Sequence, residues 1–171
     1  AQGAEFNKKK VGNFSDIAVF SCHQRKNLSA GEGGLIISKN TFLDKRIYKL
    51  RSFGEKKLSY NYRMTELCAA IGQNSLKNLN KENLYRIKNV KYLLKKFNFE
   101  KYFQIVLPRD NCKPTYHKLP ILYDYKYFKK DINFFIKYMN NVGIPFSHAY
   151  TPLSHHPNFN IKKERTKSFP N

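Results

Sequence analysis

Along residues 16–38 two short apolar runs rich in β-branched residues, DIAVF and LIIS, are separated by a polar stretch that ends in GEGG. Short runs bounded by Gly and Ser are the usual mark of strands, so the pattern predicts two strands flanking a loop that carries Lys26. A helix should follow. Asn40 or Thr41 can cap it, Leu43, Ile47 and Leu50 share a face, and Gly54 ends it. Thr65 can cap a second helix, with Leu67, Ala70, Ile71 and Leu79 at helical spacing. A third helix is predicted over residues 81–97, with Leu84, Ile87, Leu94 and Phe97 near one stripe and the lysines on a solvated face.

After this the periodicity changes. Short strands are predicted over residues 103–107 and 116–123, then a helix over 131–141, then the loop GIPFSHAYTPLSHHPNF. Pro120 places the second of these strands at an edge or a bulge. The alternation predicts an α/β class and a boundary near residues 98–101, dividing the chain into 1–97 and 98–171.

The chain has 171 residues, 41% of them hydrophobic, enough to bury a core. Lys plus Arg number 32 against 12 Asp plus Glu, a net charge of +20 that would suit nucleic acid, anionic membranes or phosphorylated ligands. Yet Lys, Asn, Ile, Tyr and Phe are abundant throughout, as an A/T-rich genome produces without selection for a basic partner, so the charge says little about function. Three widely spaced cysteines, Cys22, Cys68 and Cys112, with no CxxC pair, fit a reduced cytoplasm. No apolar run approaches the ~20 residues of a membrane-spanning helix, and AQGAEFNKKK lacks the apolar core of a signal peptide. The first residue is not Met, and the chain reads as part of something longer.

Four groups of residues raise the question of chemistry. GEGG lacks the GxxxxGK[ST] order of a phosphate loop, and Ile36 stands where a dinucleotide fingerprint would need its third glycine. A tight turn with positive φ or close backbone approach explains the glycines better. Lys26, on a strand-to-turn segment beside Ser21, is either a solvated charge or an amine shielded enough to act as a Schiff-base nucleophile. His148, His155 and His156, even with Cys112 and His117, lack HxxxH or CxxC spacing, so loop histidines are a better reading than a metal site. SYNYR mixes aromatic and basic residues without any recognised nucleic-acid motif around it.

Taken together, AQGAEF, KKVGNFSDIAVFSCHQRKNLSAGEGGLI, YNYRMTEL and GIPFSHAYTPLSHHPNF resemble, in order and spacing, the DegT/StrS family of sugar aminotransferases that depend on pyridoxal 5'-phosphate (PLP). The resemblance spans nearly the whole chain. It implies a fold-type I PLP-dependent transferase of α/β class, here the C-terminal part of the large domain over 1–97 and a small C-terminal α/β domain over 98–171. It further implies that Lys26 is the Schiff-base lysine and that Ser21 binds the cofactor phosphate. Gln2 would contact the pyridine ring, and Asn61 would reach the phosphate held by the neighbouring subunit of a homodimer. The implied substrates are a nucleotide-linked keto sugar and an amino-acid donor, commonly glutamate, in polysaccharide, including lipopolysaccharide, or glycosylated-metabolite biosynthesis. Neither nucleic acid nor a membrane is expected as a partner.

The sequence departs from the family in two places. The carboxylate that should face the ring nitrogen, an electron-sink requirement of the cofactor, would fall just before Ala1, and Asp16 is no substitute. The 171 residues therefore read as an incomplete fragment that should be inactive alone. Ser147 and Ser154 stand where many relatives carry other polar residues or His, which leaves the sugar open. Rival readings are a PLP-dependent sugar dehydratase of the same family, which has His at the lysine position, a basic nucleic-acid-binding module, and a scaffold that keeps the fold without the chemistry. Lys26 speaks against the first.

Overall fold

The computed structural model describes residues 1–54, 58–97 and 103–150. They form two compact units. The first takes in residues 1–97 and 106–119, and the second residues 103–105 and 120–150. The division differs from the one expected near residue 98, because residues 106–119 return to the first unit. The cause is a strand too short to leave a periodic signal. Cys112–Lys113 pairs antiparallel with Glu5–Phe6, and the Asn7 N–H donates to the Asn111 carbonyl at 2.8 Å.

Four strands open the chain: β1 (Glu5–Phe6), β2 (Lys9–Lys10), β3 (Ile17–Ser21) and β4 (Gly34–Ser38). β1 and β2 form a hairpin around Asn7 and Lys8, both at positive φ, the backbone that a two-residue hairpin turn demands. β3 and β4 are the two predicted strands, antiparallel from Ile17 opposite Ser38 to Ser21 opposite Gly34. Their apolar side chains remain largely uncovered: Val19 is 71% exposed, and Leu35, Ile36 and Ile37 are exposed as well.

The first helix, α1 (Thr41–Arg51), starts at Asn40, whose side chain accepts from the Phe42 and Leu43 amides, and stops at Ser52, two residues before Gly54. The second, α2 (Glu66–Lys96), is capped by Thr65 as expected, its side chain accepting from the Cys68 N–H. It then runs unbroken through the predicted gap between two helices. Neither Gly nor Pro interrupts residues 73–96, and weak helix formers such as Asn78 and Asn80 cost too little to stop a helix that packs along its length. The buried side is only partly the one predicted: Leu79 is buried, together with Asn83 and Val90, while Leu67, Ile71 and Leu84 face outward.

Past α2 come β5 (Gln104–Ile105), β6 (Cys112–Lys113, the partner of β1) and β7 (Ile121–Leu122). β5 and β7 pair antiparallel in the second unit and are shorter than the predicted strands. Pro120 stands just before β7, where its missing N–H interrupts no ladder. Two helices complete this unit, α3 (Tyr125–Phe128), capped by Asp124, and α4 (Ile132–Asn141), capped by Asp131 and matching the helix predicted there. An aromatic cluster stands in for an aliphatic core. Phe135 meets Phe103, Tyr123, Phe128 and Phe146 at ring-centroid separations of 5.6, 5.2, 5.6 and 5.3 Å. Ser154, His155 and His156 lie outside the described residues.

Because four rings converge on Phe135, Phe135→Ala should destabilise the second unit by about 2–4 kcal/mol. Thermal melting followed by near-ultraviolet circular dichroism measures this, and a melt indistinguishable from wild type would show that the cluster is not the core of this unit.

Candidate functional site

The segment between β3 and β4 turns inward. Cys22 N–H donates to the Gly33 carbonyl (2.8 Å), Lys26 N–H to the His23 carbonyl (2.8 Å), and Ala30 N–H back to the Cys22 carbonyl (2.8 Å). His23 braces the turn. Its Nδ1 accepts from the Arg25 N–H at 3.2 Å, so in the neutral ring Nε2 carries the proton, 3.6 Å from the Glu32 carboxylate. Gly31 and Gly33 both take positive φ, as the GEGG turn was expected to require.

The back of this loop carries the core of the first unit. Cys22, fully buried, joins Leu28, Ala30 and Leu79, with Met64 and Cys68 packed against them. Burial also pushes the Cys22 thiol pKa up, which keeps it protonated and unreactive. Successive loop residues find partners at successive turns of α2. A Cβ on Gly72 would lie 3.3 Å from the Ala30 methyl, so a small residue is needed there. Ser75 Oγ accepts from the Ser29 N–H (3.0 Å), Leu28 shares the core with Leu79, and Asn27 Nδ2 donates to Asn83 Oδ1 (3.1 Å).

The front of the loop lines a cleft of about 300 Å³, small among ligand sites, with Gln2, Gly12, Ser15, Phe20, Ser21 and Lys26 in its wall. Three of the four residues singled out in the sequence are thus brought together. Gln2 is buried, and its Nε2 donates to the Ser21 carbonyl at 2.6 Å. Ser21 Oγ accepts only a long contact from the His23 N–H (3.4 Å), leaving its O–H available to a ligand. Among the described residues, Lys26 Nζ has neither a hydrogen-bond acceptor nor a carboxylate partner, and no acidic residue lines the cleft. Asn61 lies elsewhere, exposed and flanked in sequence by Tyr60 and Tyr62, whose rings stack on each other, its Oδ1 accepting from Arg63 Nε at 3.4 Å.

Four residues around the cleft were missed in the sequence: Asn27, Asn83, Thr115 and Gly3. Asn27, Asn83 and Thr115 are all about 95% buried. Asn27 Nδ2 also donates to the Thr115 carbonyl (3.2 Å), and Asn83 Nδ2 donates to the Gln2 carbonyl (3.1 Å). Gly3, at φ +84, leaves the space that Asn83 needs, since a Cβ there would collide with Asn83 Nδ2. The available signal was Asn83 itself, a polar residue four positions after Leu79 on what should be the inward face. Close by, burial lowers the His117 pKa most, followed by the positive charge of Lys26, with smaller shares from the chain's amino terminus, Lys118 and Arg86.

Comparison with known proteins shows the family of the chain. The model of the DegT/DnrJ/EryC1/StrS aminotransferase family matches residues 1–171. A UDP-4-amino-4,6-dideoxy-N-acetyl-beta-L-altrosamine transaminase of Campylobacter jejuni is 35% identical over 132 residues, 71% of this chain and 35% of that protein. A GDP-perosamine synthase of Vibrio cholerae is 37% identical over 89 residues, 47% of this chain and 24% of that protein. The solved Helicobacter pylori aminotransferase involved in pseudoaminic acid biosynthesis superposes with a TM-score of 0.77 at 25% identity, covering 92% of this chain and 45% of that one. The chain thus spans between about a quarter and under half the length of these relatives.

The reach of the Lys26 charge is measurable at His117. In Lys26→Met the His117 pKa should rise toward its ordinary value of about 6.5, read from the imidazole proton shifts against pH. An unchanged midpoint would mean that the Lys26 ammonium does not act there. In the unaltered chain the unfolded state takes up this proton first. The His117 contribution to stability is therefore complete above about pH 6.5 and lost as pH falls from there toward the lowered folded value.

Proposed function

The chain belongs to the DegT/DnrJ/EryC1/StrS aminotransferase family, with the fold of the fold-type I PLP-dependent transferases, and from that premise we propose that the complete protein moves an amino group from an amino acid, glutamate by preference, to the keto group of a nucleotide-linked sugar. The observation that carries this is the pairing, in one cleft, of an unpartnered lysine amine with a serine hydroxyl free to donate. We read the first unit as part of the large cofactor domain and the second as the small C-terminal domain.

The donor set fits PLP at two of its ends. Lys26 offers the amine that an aldehyde needs, and Ser21 offers a hydroxyl to a dianionic phosphate in a cleft without competing carboxylates. Among the described residues no acid for the ring nitrogen lines this cleft, and we assign that role to another part of the complete protein. When bound, the cofactor supplies an electron sink that makes the α-carbon of an amino acid acidic.

In this reading the residues of the chain have separate tasks. Lys26 would hold the cofactor's aldehyde through its amine and would carry the proton to be taken from the donor's α-carbon. Ser21 would donate its O–H to the phosphate and keep the cofactor within reach of Lys26. Gln2 would contact the ring, and its Nε2, bound to the Ser21 carbonyl, fixes the spacing of the two segments. Asn61, which does not line its own cleft, reaches the phosphate in a partner subunit of a homodimer. Its exposed position between two tyrosines suits such a role. The uncovered apolar side chains of β3 and β4 suit strands that lie inside a larger sheet, with the remainder of the large domain covering them.

Borohydride treatment of the full-length protein loaded with PLP, followed by peptide mass spectrometry, should place the pyridoxyl group on Lys26. Lys26→Ala should lose the label and the visible absorbance. A label on any other lysine would sink the assignment.

A further inference from the structure

The buried carboxamides behind the cleft have no task in the reaction outlined above, yet they join the Gln2 segment to the loop that carries Lys26. Asn83 Oδ1 accepts from Asn27 Nδ2 (3.1 Å), next in sequence to Lys26, and Asn83 Nδ2 donates to the main-chain carbonyl of Gln2 (3.1 Å). Asn27 Nδ2 also donates to the Thr115 carbonyl (3.2 Å), two residues before His117. Arg86 Nη1, one turn further along α2, stands 3.5 Å from Asn83 Oδ1 and polarises that acceptor. Among the described residues no buried side-chain nitrogen or oxygen lacks a partner, so the network is satisfied as it stands.

We propose that Asn83 is a positioning residue for Lys26: its carboxamide, clasped between Asn27 and the carbonyl of Gln2, fixes the distance between the lysine-bearing loop and the Gln2 segment across the cleft. This rests on the assignment of PLP to Lys26. The physical argument is one of geometry and alternatives. A hydrophobic residue at position 83 would fill the volume and hold the helix against the loop, but it would fix no distance. It would also strand the Gln2 carbonyl and the second amide proton of Asn27 in a dry interior. A carboxamide donates to one segment and accepts from another through a rigid plane, and unlike an imidazole it does so within the volume of a short side chain. The close approach at Gly3, where any side chain would strike Asn83 Nδ2, is the same requirement expressed in the opposite wall.

The test uses the full-length protein reconstituted with PLP and three variants. Asn83→Ala removes both bonds. Asn83→Asp keeps the acceptor for Asn27 and loses the donor to Gln2, and it decides alone if Asn83→Ala does not fold. Val90→Ala, buried on the same helix but outside the network, loosens packing only. Both Asn83 variants should weaken cofactor retention by about tenfold, the usual scale for losing a buried hydrogen bond, and should alter the visible circular dichroism of the bound cofactor. Val90→Ala should lower Tm while leaving both readouts as in wild type. The positioning role is overturned if the Asn83 variants keep wild-type retention and dichroism, or if Val90→Ala shifts both as far at an equal loss of Tm. Borohydride labelling of the wild type separates this from the functional reading. A label at Lys26 with unchanged Asn83 variants removes the positioning role alone, whereas no label at Lys26 removes the assignment on which it rests.

Discussion

The first unit depends on one contact above all, the docking of residues 27–30 along a single face of α2. Gly72, Ser75, Leu79 and Asn83 follow at intervals of three, four and four residues, which on an α-helix is one stripe. Ala30, Ser29, Leu28 and Asn27 meet them in reverse order, through a close approach, a main-chain hydrogen bond, an apolar contact and a carboxamide pair. Each link differs in chemistry, so the register cannot slip by one residue without placing an amide against Leu79 or a methyl against Asn83. A helix face of uniform leucines would have been stickier and less exact. The loop that bears Lys26 thereby gains a fixed back, and only its front faces the cleft.

What the sequence made legible follows from this. Lys26, its flanking strands, the caps at Asn40 and Thr65 and the positive-φ glycines were readable because each has a local cause: an apolar run, a side chain placed to accept an amide, a backbone only glycine adopts freely. The face of α2 was not readable. Of the apolar residues that periodicity favours, Leu79 is buried, but Leu67, Ile71 and Leu84 point outward. The inward stripe is small and polar, and its partner is a loop far away in sequence. The return of residues 112–119 was hidden for a related reason: a two-residue strand has no period to detect, and its pairing with Glu5 and Phe6 spans more than a hundred positions. Gln2, Ser21 and Lys26 line one cleft, whereas Asn61 lies away from it and exposed.

The outward apolar face of α2 and the uncovered strands β3 and β4 tell the same story about scale. An antiparallel pair with exposed Val19, Leu35, Ile36 and Ile37 is costly in water, and such exposed patches mark surfaces that are covered in the functioning protein. The curated relatives extend well beyond the length matched here. Within the first unit, a lysine amine and a serine hydroxyl share one cleft, and the docking of residues 27–30 on α2 gives both a rigid support.

Charge, the most conspicuous property of the composition, turns out to matter locally rather than in sum. Among the described residues, Lys26 is the one basic side chain that lines the cleft. Lys10 and Lys113 flank Glu5 at 3.3 and 3.4 Å and hold its carboxyl below the usual range, a surface arrangement that contributes little to stability and nothing to the site. Near Lys26 the polarity is arranged differently. His117 is disfavoured as a cation by burial and then by Lys26 itself, and the nearby amides are neutral. Among the described residues, the Lys26 ammonium has no carboxylate in its cleft to hold it in one position, while the amides behind it are fixed by their own hydrogen bonds. A crowded basic patch would spread its attraction for anions over a broad surface, whereas one ammonium backed by neutral amides concentrates its field in the cleft.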